Sequence, residues 1–451
     1  MTEQFFAFLK TFDDSLWAYL GFPAILMTGL FLSLQTNFVQ IRKFPYIIKT
    51  FIKFLIYKDH SLRGIHPLKA FFACVGGCVG LGNVVGICTA VQIGGPGALF
   101  WIWVTAIMGM LVKYSEVYLG IKYRVPNHKG GYNGGPMYFL QRVFKATWVP
   151  KFVCLLLCVY GVEVYQFKVV TTSLSHNLNI NEYFVVAGVL ALVIYCCSGG
   201  IQRVGTISSI IIPIFVAIYV SMGFWLLIQN ITSLPSVFQM VISSAFSEQA
   251  AIGGFAGSSL MLTISQGIRR GCYTGDVGIG YASVIHSESA AQSPKKQASL
   301  VIFDIFLDTI VVCTTSLMMI LVTDVWKQPI SSGMMVQTAL SQYFPLMHIF
   351  MPIFIFMVGI STINAYFCVG LKCAEFLSPT KGRQLFYCYA VSGLLFFSFV
   401  DTSQAQIFMS ITGGMLLLIN LHAIFRLRHE IDFNFAEDEM ETEAATTLPI
   451  I

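Results

Sequence analysis

Two stretches of this 451-residue chain place glycines where an apolar segment would otherwise run unbroken. The first is Cys74-Val75-Gly76-Gly77-Cys78-Val79-Gly80-Leu81-Gly82-Asn83-Val84-Val85-Gly86. The second starts at Gly253-Gly254-Phe255-Ala256-Gly257. It continues through Gly267-Ile268-Arg269-Arg270-Gly271 and reaches Gly275-Asp276-Val277-Gly278-Ile279-Gly280. A helix interrupted at such a run exposes backbone N–H groups with a positive dipole end on one side and freed carbonyls on the other. The N–H end can receive a carboxylate without an arginine, and the carbonyls can coordinate a cation such as sodium. Close packing by small residues is the competing explanation, and Gly82 and Gly86 have the spacing for it. Asn83 favours a cavity, because an amide at membrane depth must face partners or water.

Ionisable residues inside apolar runs are the other candidates for chemistry. Lys113 and Glu116 stand three apart and suit a local ion pair on one helix face, or a gate. Glu163 and Lys168 flank Gln166 but are five apart, so they do not share a face. A pocket or proton-linked role for Glu163 stays open. Asp304 and Asp308 are four apart, hence on one face. They could bind a cation, carry a proton or serve as structural hydrogen-bonding groups, with Asp304 nearer water and Asp308 deeper. Arg269 and Arg270 are expected to set topology and to pair with nearby acids.

The elements that position these residues follow from composition. Hydrophobic residues make up 56% of the chain and charged residues 11%, against roughly a quarter charged in a soluble domain. A spanning helix needs about 20 mostly apolar residues. Eleven segments qualify, at about 15–37, 69–93, 97–119, 151–174, 183–199, 207–229, a compound 250–285, 299–323, 346–370, 385–400 and 404–425. The fold class expected is all-α and polytopic, in a cell (inner) membrane, with the lipid bilayer as solvent. Lys and Arg gather after the first, third, fifth, seventh, ninth and eleventh segments. The loops 175–182 and 230–249 have neither, and 324–345 has only Lys327. By the positive-inside rule the N-terminus is outside and the C-terminus cytoplasmic. Segments 2–6 and 7–11 then start in opposite directions, each opening on a Gly-interrupted helix. That is the pattern of an inverted repeat with one extra helix in front, and interrupted helices in matching positions point to a binding site. The division expected is 1–68 for the first helix and a basic loop, 69–230 and 231–428 for the two repeats, and 429–451 for an acidic, disordered tail. In the seventh segment Gly253–Gly257 is preferred over Gly267–Gly271 as the break, because two arginines are costly at mid-membrane.

Several functions are excluded. No Gly-x-x-x-x-Gly-Lys-Ser/Thr run or His-Glu-x-x-His spacing appears, and Cys74/Cys78 and Cys196/Cys197 lack the further ligands of a zinc site. The net charge of +5 calls for no nucleic acid. A membrane enzyme would need an acid/base or metal cluster at one interface, so the chain is expected not to be an enzyme. A channel would need polar rings repeated across subunits. Oligomeric state is not legible.

The chain resembles the alanine or glycine:cation symporter family over most of its length. The resemblance rests on Gly82-Asn83-Val84-Val85-Gly86, Gly94-Gly95-Pro96-Gly97-Ala98-Leu99-Phe100-Trp101, Lys113-Tyr114-Ser115-Glu116-Val117, Gly134-Gly135-Pro136-Met137-Tyr138, Arg270-Gly271, Asp304-Ile305-Phe306-Leu307-Asp308-Thr309 and Ser361-Thr362. It implies a leucine-transporter-type 5+5 inverted repeat with an additional N-terminal helix, and sodium-driven symport of a small amino acid such as alanine or glycine by alternating access. Carried over residue by residue, it implies substrate contacts at Gly82, Asn83, Gln166, Thr362 and Tyr366, joined by Gly253 and Gly257 from the seventh segment. It implies a sodium site from Val79, Gly82, Ser361 and Thr362. The chain departs from the family pattern with Leu81 for Thr, Thr274-Gly275-Asp276-Val277-Gly278 for Ser-Asn-Glu-Ala-Gly, Phe167 and Lys168 after Gln166, and Tyr366 for Trp. The change at Tyr366 alters the pocket wall, and together these departures leave the fold alone and bear on which amino acid is carried.

Overall fold

The computed structural model describes residues 2–56, 63–128, 130–248, 257–399 and 402–435. Its membrane segments, in chain order, are α1 (Gln4–Gln35), α2 (Pro67–Gly94), α3 (Ala98–Lys122), α4 (Trp148–Leu178), α5 (Glu182–Ser198) and α6 (Gly200–Gln229). They continue as α7 in two pieces (α7a, Leu260–Gly275; α7b, Tyr281–His286), α8 (Pro294–Val322), α9 (Met347–Leu377), α10 (Gly382–Phe397) and α11 (Thr402–Arg426). Among the described residues eight of these are long and apolar enough to cross a membrane unaided. The exceptions are the short α5 and α10 and the divided α7. The eleven segments read from hydropathy are therefore all present. Sheet is confined, among the described residues, to the ribbon of Val125–Pro126 with Tyr132–Asn133. The second helices of the two repeats, α3 and α8, pack on each other, and so do the third, α4 and α9. Like-with-like contacts of this kind arise where equivalent helices of an inverted repeat meet near its pseudo-two-fold axis.

Local chemistry sets where α2 starts and stops. Pro67 occupies the first turn, and the His66 ring accepts the Leu68 N–H at 3.2 Å. The first half (Pro67–Cys78) ends at Val79, whose ψ of 90° is extended. The chain resumes with a π turn, Gly82–Gly86, before the short helix Cys88–Gly94. π turns inside helices recur at functional sites. Gly76 and Gly77 permit the closest helix contacts: a Cβ at Gly77 would strike the Tyr281 hydroxyl, and one at Gly76 the hydroxyls of Ser361 and Ser208.

Among the described residues the seventh segment is interrupted after Gly275 and not at Gly267–Gly271, while residues 253–256 of the preferred break lie outside the described residues. Gly267 and Gly271 sit inside the continuous helix α7a, against Ala98, Trp101 and Thr105 of α3. They are packing glycines. Gly257 adopts φ +87° just ahead of the helix, where the Ser259 hydroxyl accepts the Leu262 N–H at 3.3 Å. Gly253 lies outside the described residues. The helix stops instead at Asp276 (φ 47°), and Gly278 and Gly280 (φ +74° and +102°) carry the chain into α7b. Left-handed backbone at Asp276 ends the helix, and at Gly278 and Gly280, two residues further on in each case, it turns the chain into α7b.

Arg269 pairs with acids as expected: with Asp13 and, at 2.9 Å, with Asp14 of α1. Its helix starts beside Gly94, whose carbonyl accepts from Ser258 at 3.1 Å and Thr263 at 2.7 Å. A further interruption escaped the sequence reading: α4 is parted at Gly161-Val162-Glu163. A Cβ on Gly161 would come within 2.8 Å of the Gly370 Cα, so the two backbones cross closely there.

The tail also departs from expectation, since residues 430–435 are ordered against the end of the bundle that carries the basic loops. Phe435 is buried against Tyr46 and Tyr114, the Tyr114 hydroxyl donates to the Asp432 carbonyl at 2.5 Å, and Lys295 bonds the Asn434 carbonyl at 2.7 Å. Residues 436–443 lie outside the described residues. The Lys122 ammonium (2.8 Å) and the Tyr123 hydroxyl hold the Glu430 carboxyl below its usual range. A depressed value means the contact contributes fully above the ordinary glutamate range and is lost as pH falls through the lowered one. Amide-exchange protection of residues 428–435, corrected for the intrinsic pH dependence of exchange, is expected to hold from pH 8 to about 5 and to fall below that. Glu430→Gln should lower the protection in the upper range and change nothing once the carboxyl is protonated.

Candidate functional site

The two breaks and the parted α4 meet at one small cavity lined by Gly77, Cys78, Gly82, Glu163, Gln166, Tyr273, Thr274 and Tyr366. Three residues expected from sequence, Gly82, Gln166 and Tyr366, thus share a wall although they come from three segments. The open space accommodates about 10 Å³ of water centres, roughly one water. An amino acid enters only if the walls move.

Asn83 lies beside this cavity and faces away from it. Its amide nitrogen donates to Asp308 Oδ1 at 2.5 Å and to the Asp308 carbonyl at 3.2 Å, and its oxygen accepts the Gly80 N–H at 2.9 Å. Ser316 donates to the Asn83 carbonyl at 2.6 Å. Asp308 itself sits in a π turn, Phe306–Cys313 of α8, where Thr309 donates to its second oxygen at 2.8 Å. Two π turns are therefore laced together by one amide and one carboxylate.

Ser361 and Thr362 lie on the other side of α2. Thr362 Oγ1 donates to the Gly76 carbonyl at 3.2 Å, and Ser361 Oγ is 2.7 Å from Ser208 Oγ. A Cβ on Gly80 would strike Thr362 Oγ1. Hydroxyls beside a helix end supply the hard oxygen donors that suit an alkali cation. Gly82 is not brought to this pair. Its carbonyl accepts the Ile87 N–H at 2.6 Å, and a Cβ on it would meet Thr274.

Lys113 and Asp304 form an ion pair that sequence reasoning did not match. Lys113 Nζ lies 2.6 Å from Asp304 Oδ2, with both side chains wholly buried. The same ammonium donates to the Gly275 carbonyl at 2.8 Å and to Cys78 Sγ at 3.2 Å. It therefore sits where the first half of α2 and α7a both end, at their negative dipole ends. Its expected partner Glu116 instead accepts the N–H groups of Gly280 at 3.0 Å and Ser283 at 3.1 Å, holding the start of α7b. Asp304 was expected near water and is fully buried. Cys74 and Cys78 converge with Asp304 to within 4.8 Å, a possible metal cluster, but the lysine ammonium already supplies a cation there.

Asp276 faces the cavity edge. Tyr366 donates to its carboxylate, as do Cys78 at 3.3 Å and Tyr160 at 3.4 Å. Tyr281 stacks on Tyr366 with centroids 4.2 Å apart. Lys168, one of the departures from the family pattern after Gln166, turns away to Glu182 at 2.9 Å and to the Ser398 carbonyl. The sequence signals for Lys113, Asp276 and Asp304 are an ionisable side chain inside an apolar run and a place within the family motifs, neither of which says what each one pairs with.

The profile of the sodium:alanine symporter family matches residues 2–444. The chain belongs to that family. As a member of the sodium:alanine symporter family it is a multi-pass membrane transporter rather than an enzyme. An uncharacterized transporter of Haemophilus influenzae is 30% identical over 94% of each chain. The sodium/alanine symporter AgcS of Methanococcus maripaludis is 30% identical over 85% of this chain and 86% of its own. Among solved structures, MhsT in complex with L-phenylalanine superposes with a TM-score of 0.54 at 14% identity, covering 79% of this chain and 89% of MhsT. That likeness concerns the fold, which is the leucine-transporter type.

Proposed function

We propose that this protein is a sodium-coupled symporter of a small neutral amino acid, alanine or glycine, working by alternating access. The carrying observation is the meeting of Gly82, Gln166 and Tyr366 at one cavity, with Ser361 and Thr362 placed against the same broken helix. The substrate carboxylate is taken by backbone N–H groups at the α2 break, and Gln166, Tyr366 and Thr274 line the rest. Sodium is taken by Ser361 and Thr362 with backbone oxygens around Gly76 and Val79. The name of the Methanococcus relative supports alanine and sodium.

Charge balance also supports a co-bound cation. Asp276, Asp304, Asp308, Glu116 and Glu163 are all buried near the breaks, and the buried bases there among the described residues are Lys113 and Arg270. Surplus buried carboxylates at membrane depth are stabilised by a cation that arrives with the substrate. The two repeats would span 69–230 and 231–428, with the N-terminus outside and the C-terminus in the cytoplasm of a cell whose inner membrane holds the protein.

Reconstituted protein should accumulate labelled alanine only under an inward sodium gradient, with potassium inert. Uptake that ignores sodium and follows an imposed proton gradient would replace this reading with a proton-coupled one. Ser361→Ala/Thr362→Ala is expected to raise the sodium concentration for half-maximal uptake about tenfold or more, by removing two hydroxyl ligands worth roughly 1 kcal/mol each.

A further inference from the structure

Three polar atoms on the wall of the cavity have no partner among the described residues: Glu163 Oε2, Gln166 Oε1 and the Tyr273 hydroxyl. The Glu163 and Gln166 side chains are 2% and 4% exposed. Both line the cavity at the start of the second half of α4, Glu163 from the residue just ahead of its first turn and Gln166 from within that turn. The nearby donors are committed elsewhere. Tyr366 and Tyr160 donate to Asp276, Thr274 donates to the Arg270 carbonyl at 3.0 Å, and Lys113 is held by Asp304. A buried acceptor without a donor costs about 1–3 kcal/mol, more if charged. Two acceptors facing one space, with a single hydroxyl beside them, are the complement of an ammonium group and a carboxylate.

We propose that Glu163 is a specificity-determining residue which, with Gln166, receives the ammonium group of the substrate. The cavity then selects molecules bearing a free primary amine and rejects carboxylates without one. The inference rests on the amino-acid carrier reading and adds to it a charged contact that the departures along α4 had left unassigned. The interruption at Gly161-Val162-Glu163 leaves Glu163 at the N-terminal edge of the second half of α4, where that edge borders the cavity.

The test uses the full chain in proteoliposomes under a sodium gradient. Wild-type uptake of alanine should be competed strongly by glycine, weakly by N-methylalanine, and not by lactate or trimethylglycine. Glu163→Gln should raise the KM for alanine about 10- to 100-fold, the range for a hydrogen bond to a charged group. The sodium concentration for half-maximal uptake should stay the same, and the preference for alanine over N-methylalanine should shrink. Glu163→Asp should fall between the two. An unchanged KM in Glu163→Gln, or a loss of pH dependence with KM intact, would overturn the proposal, the second result marking Glu163 as a proton carrier. A measurement on the wild type alone guards against a variant that does not fold. Alanine should raise its melting temperature while lactate and propionate do not, and equal protection by lactate overturns the proposal. Wild-type protein that carries and binds no amino acid defeats the carrier reading itself, an outcome distinct from failure of the Glu163 contact.

Discussion

Lys113→Met is expected to destabilise the protein by about 3–5 kcal/mol, because it strands the Asp304 carboxylate in a site with no access to water. Asp304→Leu should cost a similar amount by stranding the ammonium. The double variant Lys113→Met/Asp304→Leu should recover most of the loss, since a buried pair replaced by apolar groups of similar volume is close to neutral. Thermal unfolding in detergent measures all four corners of that cycle. Transport should not recover with stability. The ammonium also bonds the Gly275 carbonyl and Cys78 Sγ, so it ties the ends of both interrupted helices to α3. A double variant that is stable and still transports at the wild-type rate would reduce the pair to a structural element.

Asn83→Ala is expected to abolish uptake in a protein that still folds. The substitution leaves Asp308 Oδ1 and the Gly80 N–H without their shared partner, at a cost of about 1–3 kcal/mol. Hydrogen bonds inside membrane proteins average nearer 0.6 kcal/mol, so global stability should fall by less than in Lys113→Met. The effect on transport is larger than on stability because Asn83 fixes how the π turn of α2 meets that of α8, and Gly82 and the cavity move with it. Asn83→Asp should do no better, because it sets a second carboxylate against Asp308. Initial rates of alanine uptake, normalised to folded protein by size-exclusion chromatography, provide the measurement. Uptake within twofold of wild type would remove the α2 site from the mechanism.

The placement of side chains explains which parts of the site could be read from sequence. Gly82, Gln166 and Tyr366 were legible because the motifs around them are specific, and the structure brings them to one cavity. The alternative break in α7 at Gly267–Gly271 fails for a physical reason. Glycines at 267 and 271 and those at 278 and 280 look alike in sequence, yet the first pair lies in helix against α3 and the second takes left-handed backbone. A glycine serves packing and chain reversal equally well, and only its neighbours decide which. The pairing of Lys113 was misjudged in the same way. A helix places Glu116 within reach, but Asp304 arrives from a segment 191 residues away and is nearer.

Hydropathy and loop charge alone gave eleven apolar segments, one in front and ten in two groups of five that start in opposite directions, because each spanning helix must satisfy its own backbone in lipid and can be recognised one segment at a time. The tertiary structure decided which ionisable groups meet: Lys113 with Asp304, Asn83 with Asp308, Arg269 with Asp13 and Asp14, and Glu163 with an open cavity. Those choices depend on how helices distant in sequence are packed and rotated against one another. A buried charge takes the nearest complementary group in space, and spacing along the chain does not record that distance.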